Sequence, residues 1–371
     1  MMENKNIKVL HIDSEKSWRG GQQQAAYLLE RMHALGSKTA MVCKPGSAME
    51  TYCQGKGLPV YGIPMHGELD ITAGYKIASL CRKQGFHILH LHSAHALATG
   101  LWASLFYKKL RLIAVRRVSV PIKKNWFSRF KYLTPRLNRI VCISNAIKAI
   151  LMNDGLHGEK LTVIHSGVHL DKFKGALDGK LVKQTLGIPD DHLVVGTIAA
   201  FTREKGYPTL LKAAEEIVRK HERVTFCAVG SGAEEEAIHT MAKDLRLGDR
   251  MIFTGFRKDV GSLLNMFDLF VLPSYQEGLG SSILDAQALG LPVVACRTGG
   301  VPEIVHHGVN GLLVPPRDSK ALVLALEDLV CNSEKRKQFG LKAMETVQAF
   351  SIDRTVENNM ALYRQLGDGT P

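Results

Sequence analysis

The strongest restriction on the fold is an alternation that runs through the chain twice. The short apolar runs IKVLHI, TAMVC, HILHLHS, LIAVRR and RIVCIS are interleaved with stretches of helical period, from about Gln22 to Leu35, near Ala48 to Lys56 and over Ala96 to Tyr107. Buried parallel strands read as continuous apolar runs, and helices between them supply the crossovers that parallel pairing needs. After LTVIHSGV and an extended polar passage the pattern restarts. VVGTIAAF, VTFCAVG, MIFTGF, LFVLPS, PVVACRT and GLLVPP alternate with helices predicted over Pro208 to His221, Glu234 to Leu245 and Ser281 to Leu289. Two doubly wound α/β domains are expected, with a boundary near Val168 to Lys180. The closing segment SIDRTVENNMALYRQL has helical period and no strand partner, so it can pack back across that boundary.

A chain of 371 residues exceeds one ordinary core, which agrees with two domains. No apolar run approaches the ~20 residues that cross a bilayer. The start, MMENKNIKVLHID, enters a strand without the apolar core of a signal peptide, and a cytosolic protein is expected. Seven cysteines without a CxxC pair suggest neither a disulfide framework nor a zinc site.

The net charge of +13 belongs to the first half: residues 1 to 170 hold 24 Lys and Arg against 9 Asp and Glu. Residues 101 to 150 hold twelve Lys or Arg and no acid, with aromatics interleaved in PIKKNWFSRFKYLTPRLNR. Such a segment could lie on an anionic membrane, with Trp126, Phe127, Phe130 and Tyr132 entering the interface beside Lys123, Lys124, Arg129 and Lys131. It could also grip a phosphorylated substrate or nucleic acid, or be a solvated helix with its aromatics turned inward. No nucleic-acid motif accompanies the charge, so membrane or anionic-substrate contact is the expectation and nucleic acid is not.

In open parallel sheets ligands bind beyond the carboxyl ends of the strands, so the loops there carry the chemistry. After the first strand, Gly20 and Gly21 in WRGGQQQ precede a helix, where bare backbone can approach an anion. Arg203 and Lys205 in TREKG stand just before another helix; two cations there are electrostatically unfavourable unless an anion joins them. Gly230 and Gly232 in VGSGAEEE open a third helix, and Phe256 and Arg257 lie in the TGFRKDV loop. In QEGLGSSILDAQ, Glu277 follows a strand, Gly278 to Ser281 present successive N–H groups, and Asp285 lies about two helical turns beyond Glu277. A carboxylate beside a phosphate would repel it, so both acids fit sugar hydroxyls at the two ends of a diphosphate bridge. Neither GxGxxG nor a P-loop occurs, which argues against nicotinamide and ATPase readings.

The run PSYQEGLGSSILDAQALGLPVVACRTGGVPEIVHHGVNGLLVPPRD resembles the donor-site signature of retaining glycosyltransferases of family 4. The resemblance extends through WRGGQQQ, HLHSAHAL, VCISNAIK, VIHSGVHLDKF, TREKG, VGSGAEEE and TGFRKDV. It implies a GT-B fold: two Rossmann-like domains facing across a cleft, residues 1–170 binding the acceptor and 171–350 the nucleotide-sugar donor. Residues 351–371 would form a helix crossing back onto the amino-terminal domain. By this likeness Glu277 holds the donor hexose, the amides of Gly278, Leu279, Gly280 and Ser281 with Lys205 hold the diphosphate, and Asp285 holds the ribose. Gly230, Gly232, Phe256 and Arg257 would complete the donor side; Arg19, Gly20, Gly21, Gln22, His92 and Arg116 would line the acceptor side.

Three positions depart from that family pattern. Asp285 replaces the commoner Glu, Ala200 stands where the family places a phosphate-binding Arg, with Arg203 nearby, and Arg117 stands where many members have His. The resemblance implies front-side attack, with the leaving phosphate accepting the acceptor's proton. The protein would then stabilise growing negative charge through Lys205, Arg203 and Arg116 or Arg117. No DxD motif is present, and neither a metal nor another cofactor is expected. The implied activity is transfer from a nucleotide-diphosphate sugar to a glycan or lipid-linked acceptor, as in bacterial lipopolysaccharide or surface polysaccharide synthesis, on the inner face of the cytoplasmic membrane. An inactive binding or scaffold subunit, or a sugar-nucleotide phosphorylase or epimerase, are the alternatives.

Overall fold

The computed structural model describes residues 7–123, 126–173 and 175–367. The chain forms two units, one running to Gly167 and resuming at Ile352, the other spanning Val168–Ser351. The first is built on seven strands: β1 (Lys8–Ile12), β2 (Lys38–Cys43), β3 (Val60–Gly62), β4 (Ile88–Leu91), β5 (Arg111–Arg116), β6 (Leu137–Cys142) and β7 (Leu161–Val163). All pair in parallel in the order β3-β2-β1-β4-β5-β6-β7. The chain moves outward from β1 to β3 and returns beside β1 at β4. The loops after β1 and β4 therefore diverge at a topological switch point.

The helices between these strands are α1 (Gly20–Ala34), α2 (Ala48–Gly55), α3 (Ile71–Gln84), α4 (Ala94–Phe106), α5 (Trp126–Leu133) and α6 (Asn145–Asn153). Ser47, Asp70, Ser93 and Ser144 cap α2, α3, α4 and α6 by accepting from N–H groups of the first turn. The start of α1 is different. Arg19 is extended there, makes no side-chain cap, and no acid occupies the first turn.

The second unit repeats the plan with β8 (Leu193–Ile198), β9 (Val224–Val229), β10 (Met251–Gly255), β11 (Leu269–Leu272), β12 (Val293–Cys296) and β13 (Gly311–Val314). The order is β10-β9-β8-β11-β12-β13, again parallel, with its switch point between β8 and β11. Its helices are α7 (Gly179–Thr185), α8 (Tyr207–Lys220), α9 (Glu235–Asp244), α10 (Val260–Met266), α11 (Ser281–Ala288), α12 (Ser319–Cys331) and α13 (Ser333–Val347). In the core, Phe201, Tyr207, Leu210 and Ile217 pack with Phe226, Leu269, Val271 and Val294 from the sheet and Leu322, Leu326 and Leu329 from α12. Gly196 in β8 is dictated by packing, because a Cβ there would meet the Phe267 ring at 2.1 Å.

The final helix, α14 (Ile352–Gly367), belongs to the first unit. Its residues Ile352, Val356, Met360 and Tyr363 share one buried cluster with Val9, Tyr27, Met32, Ile88, Ile113 and Val141. Gly167 admits this close approach, since a Cβ there would come 2.5 Å from Thr355 Oγ1.

Candidate functional site

At the β8/β11 switch point the loop after β8 makes a short turn, Arg203–Lys205, and Gly206 begins α8 in the left-handed conformation, φ 71°. Glycine is required there, because a Cβ would lie 2.0 Å from Pro273 O in the loop after β11. That contact brings the two loops together, and Lys205 Nζ donates to Glu277 Oε1 at 2.6 Å. Ser274 Oγ donates to the same oxygen at 2.9 Å. Glu277 is buried and Lys205 half-buried, so the pair is shielded from solvent screening. Arg203 is exposed on the same turn.

Beyond Glu277, Gly278 to Gly280 lead into α11. Gly280 has φ 93° and the helix start carries no side-chain cap, so its first N–H groups remain available to an anion. The Leu279 side chain is buried, which leaves only its backbone for a ligand. Ser281 opens the helix and Asp285 lies within it, 3.3 Å from Lys172 Nζ. Burial raises the Asp285 carboxyl above its ordinary range, and Lys172 opposes that rise.

The loop after β9 fits flush against the loop after β8. A Cβ on Gly230 would lie 2.0 Å from Ala199 O, and one on Gly232 would lie 2.4 Å from Phe201 O. Phe256 is exposed after β10, while Arg257 is held by Asp259 through two bonds, Nε to Oδ1 at 2.8 Å and a second at 2.6 Å. That hydrogen-bonded partner raises the Arg257 guanidinium pKa, and a ligand would compete with Asp259 for it.

At the β1/β4 switch point, Asp13 is fully buried and accepts from Gln22 Nε2 at 3.0 Å and from the Glu15 N–H at 2.9 Å. Burial raises its carboxyl, with Gln22, Glu15 N–H and Arg117 acting in the other direction. Arg117 donates to His92 Nδ1 at 3.0 Å. A guanidinium only donates, so that nitrogen accepts, the His92 proton sits on Nε2, and it is given to His11 Nδ1 at 3.0 Å. Burial holds both imidazoles neutral, His11 down to about 3 and His92 well below its ordinary value. Arg117 itself is lowered to about 10 by desolvation. Gly21 lies against this arginine, 3.3 Å from its Cδ for a built Cβ, while Arg19 and Gly20 are exposed at the α1 start.

His11, His90 and His92 offer nitrogens within 4.8 Å of one another, the arrangement among the described residues that could hold a metal. Arg117 donates into one of these imidazoles and Tyr363 OH lies 2.6 Å from His90 Nδ1, while His11 Nε2 and His90 Nε2 are buried without a hydrogen-bond partner among the described residues. A cavity of about 20 Å³ beside His90, His92 and Arg117 has room for one water. Arg116 is turned elsewhere, donating to Val120 O at 2.6 Å and to Tyr132 OH at 3.3 Å.

The basic segment requires two corrections. Lys131 faces inward, is buried, and pairs with Glu68 at 2.5 Å beneath the Phe127 ring; Tyr132 is buried beside Arg116. Helical period places 131 and 132 on the face of α5 opposite Trp126 and Phe130, and the pairing with Glu68 holds that face inside. Trp126 and Phe130 are 77% and 55% exposed, Lys123 and Arg129 are exposed, and Phe127 is half-buried. Lys124 lies outside the described residues.

Sequence reasoning missed Asp13, His11, Ser274 and Lys172. Asp13 alone carried a signal, an acid at the end of the first strand in HID.

Two parallel-sheet Rossmann-like domains, each with its polar loops at the carboxyl edge, define a GT-B protein. Residues 18–172 match Glycosyltransferase Family 4 and residues 180–346 match Glycosyl transferases group 1. The chain belongs to this glycosyltransferase family. It is 24% identical over 382 residues to the UDP-Gal:alpha-D-GlcNAc-diphosphoundecaprenol alpha-1,3-galactosyltransferase of Escherichia coli, covering 96% of each chain. It is 33% identical over 162 residues to the lipopolysaccharide core biosynthesis glycosyltransferase LpsE of Rhizobium meliloti, covering 44% of this chain and 46% of that one. Among solved structures, HepE of Anabaena in complex with UDP superposes with a TM-score of 0.85 at 22% identity, over 97% of this chain and 100% of that one.

Proposed function

We propose that the protein is a retaining, metal-independent glycosyltransferase that moves a sugar from a nucleotide-diphosphate sugar to a glycan or lipid-linked acceptor of a cell-surface polysaccharide. The observation that carries this reading is the Lys205–Glu277 pair, set between two helix starts that lack side-chain caps. Diphosphate draws Lys205 away from Glu277 and takes the N–H groups of Gly278 to Ser281. Glu277 is then free to accept from sugar hydroxyls, with Oε2 already clear of Lys205 and Ser274. Asp285 accepts from the ribose in competition with Lys172, and Gly230, Gly232 and Phe256 flank the base.

As the glycosidic bond breaks, negative charge grows on the leaving phosphate, and Lys205, Arg203 and the α11 amides stabilise it. The leaving phosphate takes the acceptor proton, so no protein base is needed. Relatives named for a lipid-linked and a lipopolysaccharide substrate support a membrane-bound acceptor. The exposed Trp126 and Phe130 beside Lys123 and Arg129 support contact with the anionic inner face of the cytoplasmic membrane. No described helix is long and apolar enough to span a membrane.

Calorimetry with UDP, GDP, ADP and CMP in metal chelator tests the reading. One of the three diphosphates should bind selectively over CMP, bind far more weakly to Lys205→Ala, and persist with Glu277→Ala. Transfer by Glu277→Ala should fall about 100-fold or more. Failure of all four nucleotides to bind would favour a scaffold subunit instead.

A further inference from the structure

Tyr275 belongs to neither the ion pair nor the α11 start, yet four loops meet on it. Its backbone N–H donates to Glu204 O at 2.7 Å in the loop after β8. Its carbonyl accepts from Thr298 Oγ1 at 3.0 Å in the loop after β12. Its hydroxyl lies 2.8 Å from Thr209 Oγ1 in the first turn of α8. Over its ring, 4.9 Å from the centroid, lies the guanidinium of Arg317 from the loop after β13.

Arg317 holds a left-handed backbone, φ 66°, where glycine would be unstrained. It is exposed, and a cation–π contact at an exposed site returns less than that backbone takes. An arginine seated against its backbone preference at a site rim points to a purpose other than stability.

We infer that Tyr275 is a positioning residue that ties the loops after β8, β11, β12 and β13 into one rim, with Arg317 as its clamp. Glu204 immediately precedes Lys205 and Tyr275 stands two residues before Glu277, so the Tyr275 N–H bond sets the separation of the two functional side chains. The inference rests on the nucleotide-sugar reading of that pair.

Nucleotide affinity and thermal unfolding of the full chain test it, in wild type, Arg317→Gly, Arg317→Lys, Tyr275→Leu and the Tyr275→Leu, Arg317→Gly double variant. The probe is whichever of UDP, GDP and ADP the wild type binds most tightly. Arg317→Gly should unfold at the same or a higher temperature than wild type while binding the probe roughly tenfold more weakly. Arg317→Lys should keep most of the affinity, and Arg317→Gly should cost nothing further once Tyr275 is Leu. Unchanged affinity in Arg317→Gly, or a full additional loss in the double variant, overturns the inference while leaving the nucleotide reading in place. A wild type that binds none of the three overturns that reading and this inference with it.

Discussion

Arg246 and Arg317 are the non-glycine residues with left-handed backbone among those described, and they differ in what surrounds them. Arg246 simply closes α9, with its N–H on Lys243 O at 2.9 Å and the Leu247 N–H on Ala242 O at 3.2 Å. Glycine favours that position in a helix stop. Arg246→Gly should therefore stabilise the second unit by about 0.5–1 kcal/mol, the relief of backbone strain outweighing the added freedom of the unfolded chain. Chemical denaturation checks this, and nucleotide affinity should not move. At this scale Glu277 and Lys205 were legible, since each follows a strand in a loop that opens a helix. Their mutual bond was not, because 72 residues separate them and only the sheet order brings their loops together. Tyr275 was illegible for another reason: two of its four ties run through its own backbone atoms, which every residue type carries.

Helix α5 shows what period can and cannot tell at the scale of an element. The eight residues WFSRFKYL announce basic and aromatic character, but the inward face of so short a helix is set by its neighbours. Glu68 settles it by drawing Lys131 inside. Replacing Trp126 and Phe130 together by Ser should weaken binding to phosphatidylglycerol vesicles without lowering the unfolding temperature, and the residual binding should fall steeply with salt. Lys131→Ala should do the reverse, destabilising the fold by leaving Glu68 without its partner while vesicle binding stays. Vesicle co-sedimentation and thermal unfolding separate the two. Other elements escaped the sequence reading altogether. Three residues are too few for β3 to display a period, and in α3 the glycine at 74 interrupts the apolar face where a Cβ would come 2.5 Å from Trp102 Cβ.

Over the whole molecule, acid should act first on the amino-terminal unit. His11, His90 and His92 are buried, and burial depresses each imidazole, so the unfolded chain binds more protons than the folded one below the ordinary value of 6.5. Their neutral burial is fully favourable above that value and is lost as pH falls below it; for His11, lowered to about 3, the loss is roughly 2 kcal/mol by pH 5. The raised Asp13 carboxyl works the other way above its ordinary value, partly offsetting the loss. Unfolding temperature should drop between pH 7 and pH 5, and a His11→Gln, His92→Gln variant should flatten that slope. The return of α14 to the first unit carries a different consequence, for synthesis on the ribosome. The first 167 residues emerge early but lack Val356, Met360 and Tyr363 from their core until Val168–Ser351 has been made. At about 5–20 residues per second that delay is roughly 10 to 40 s, during which the unit translated second can fold first and the earlier one keeps apolar surface open to chaperones.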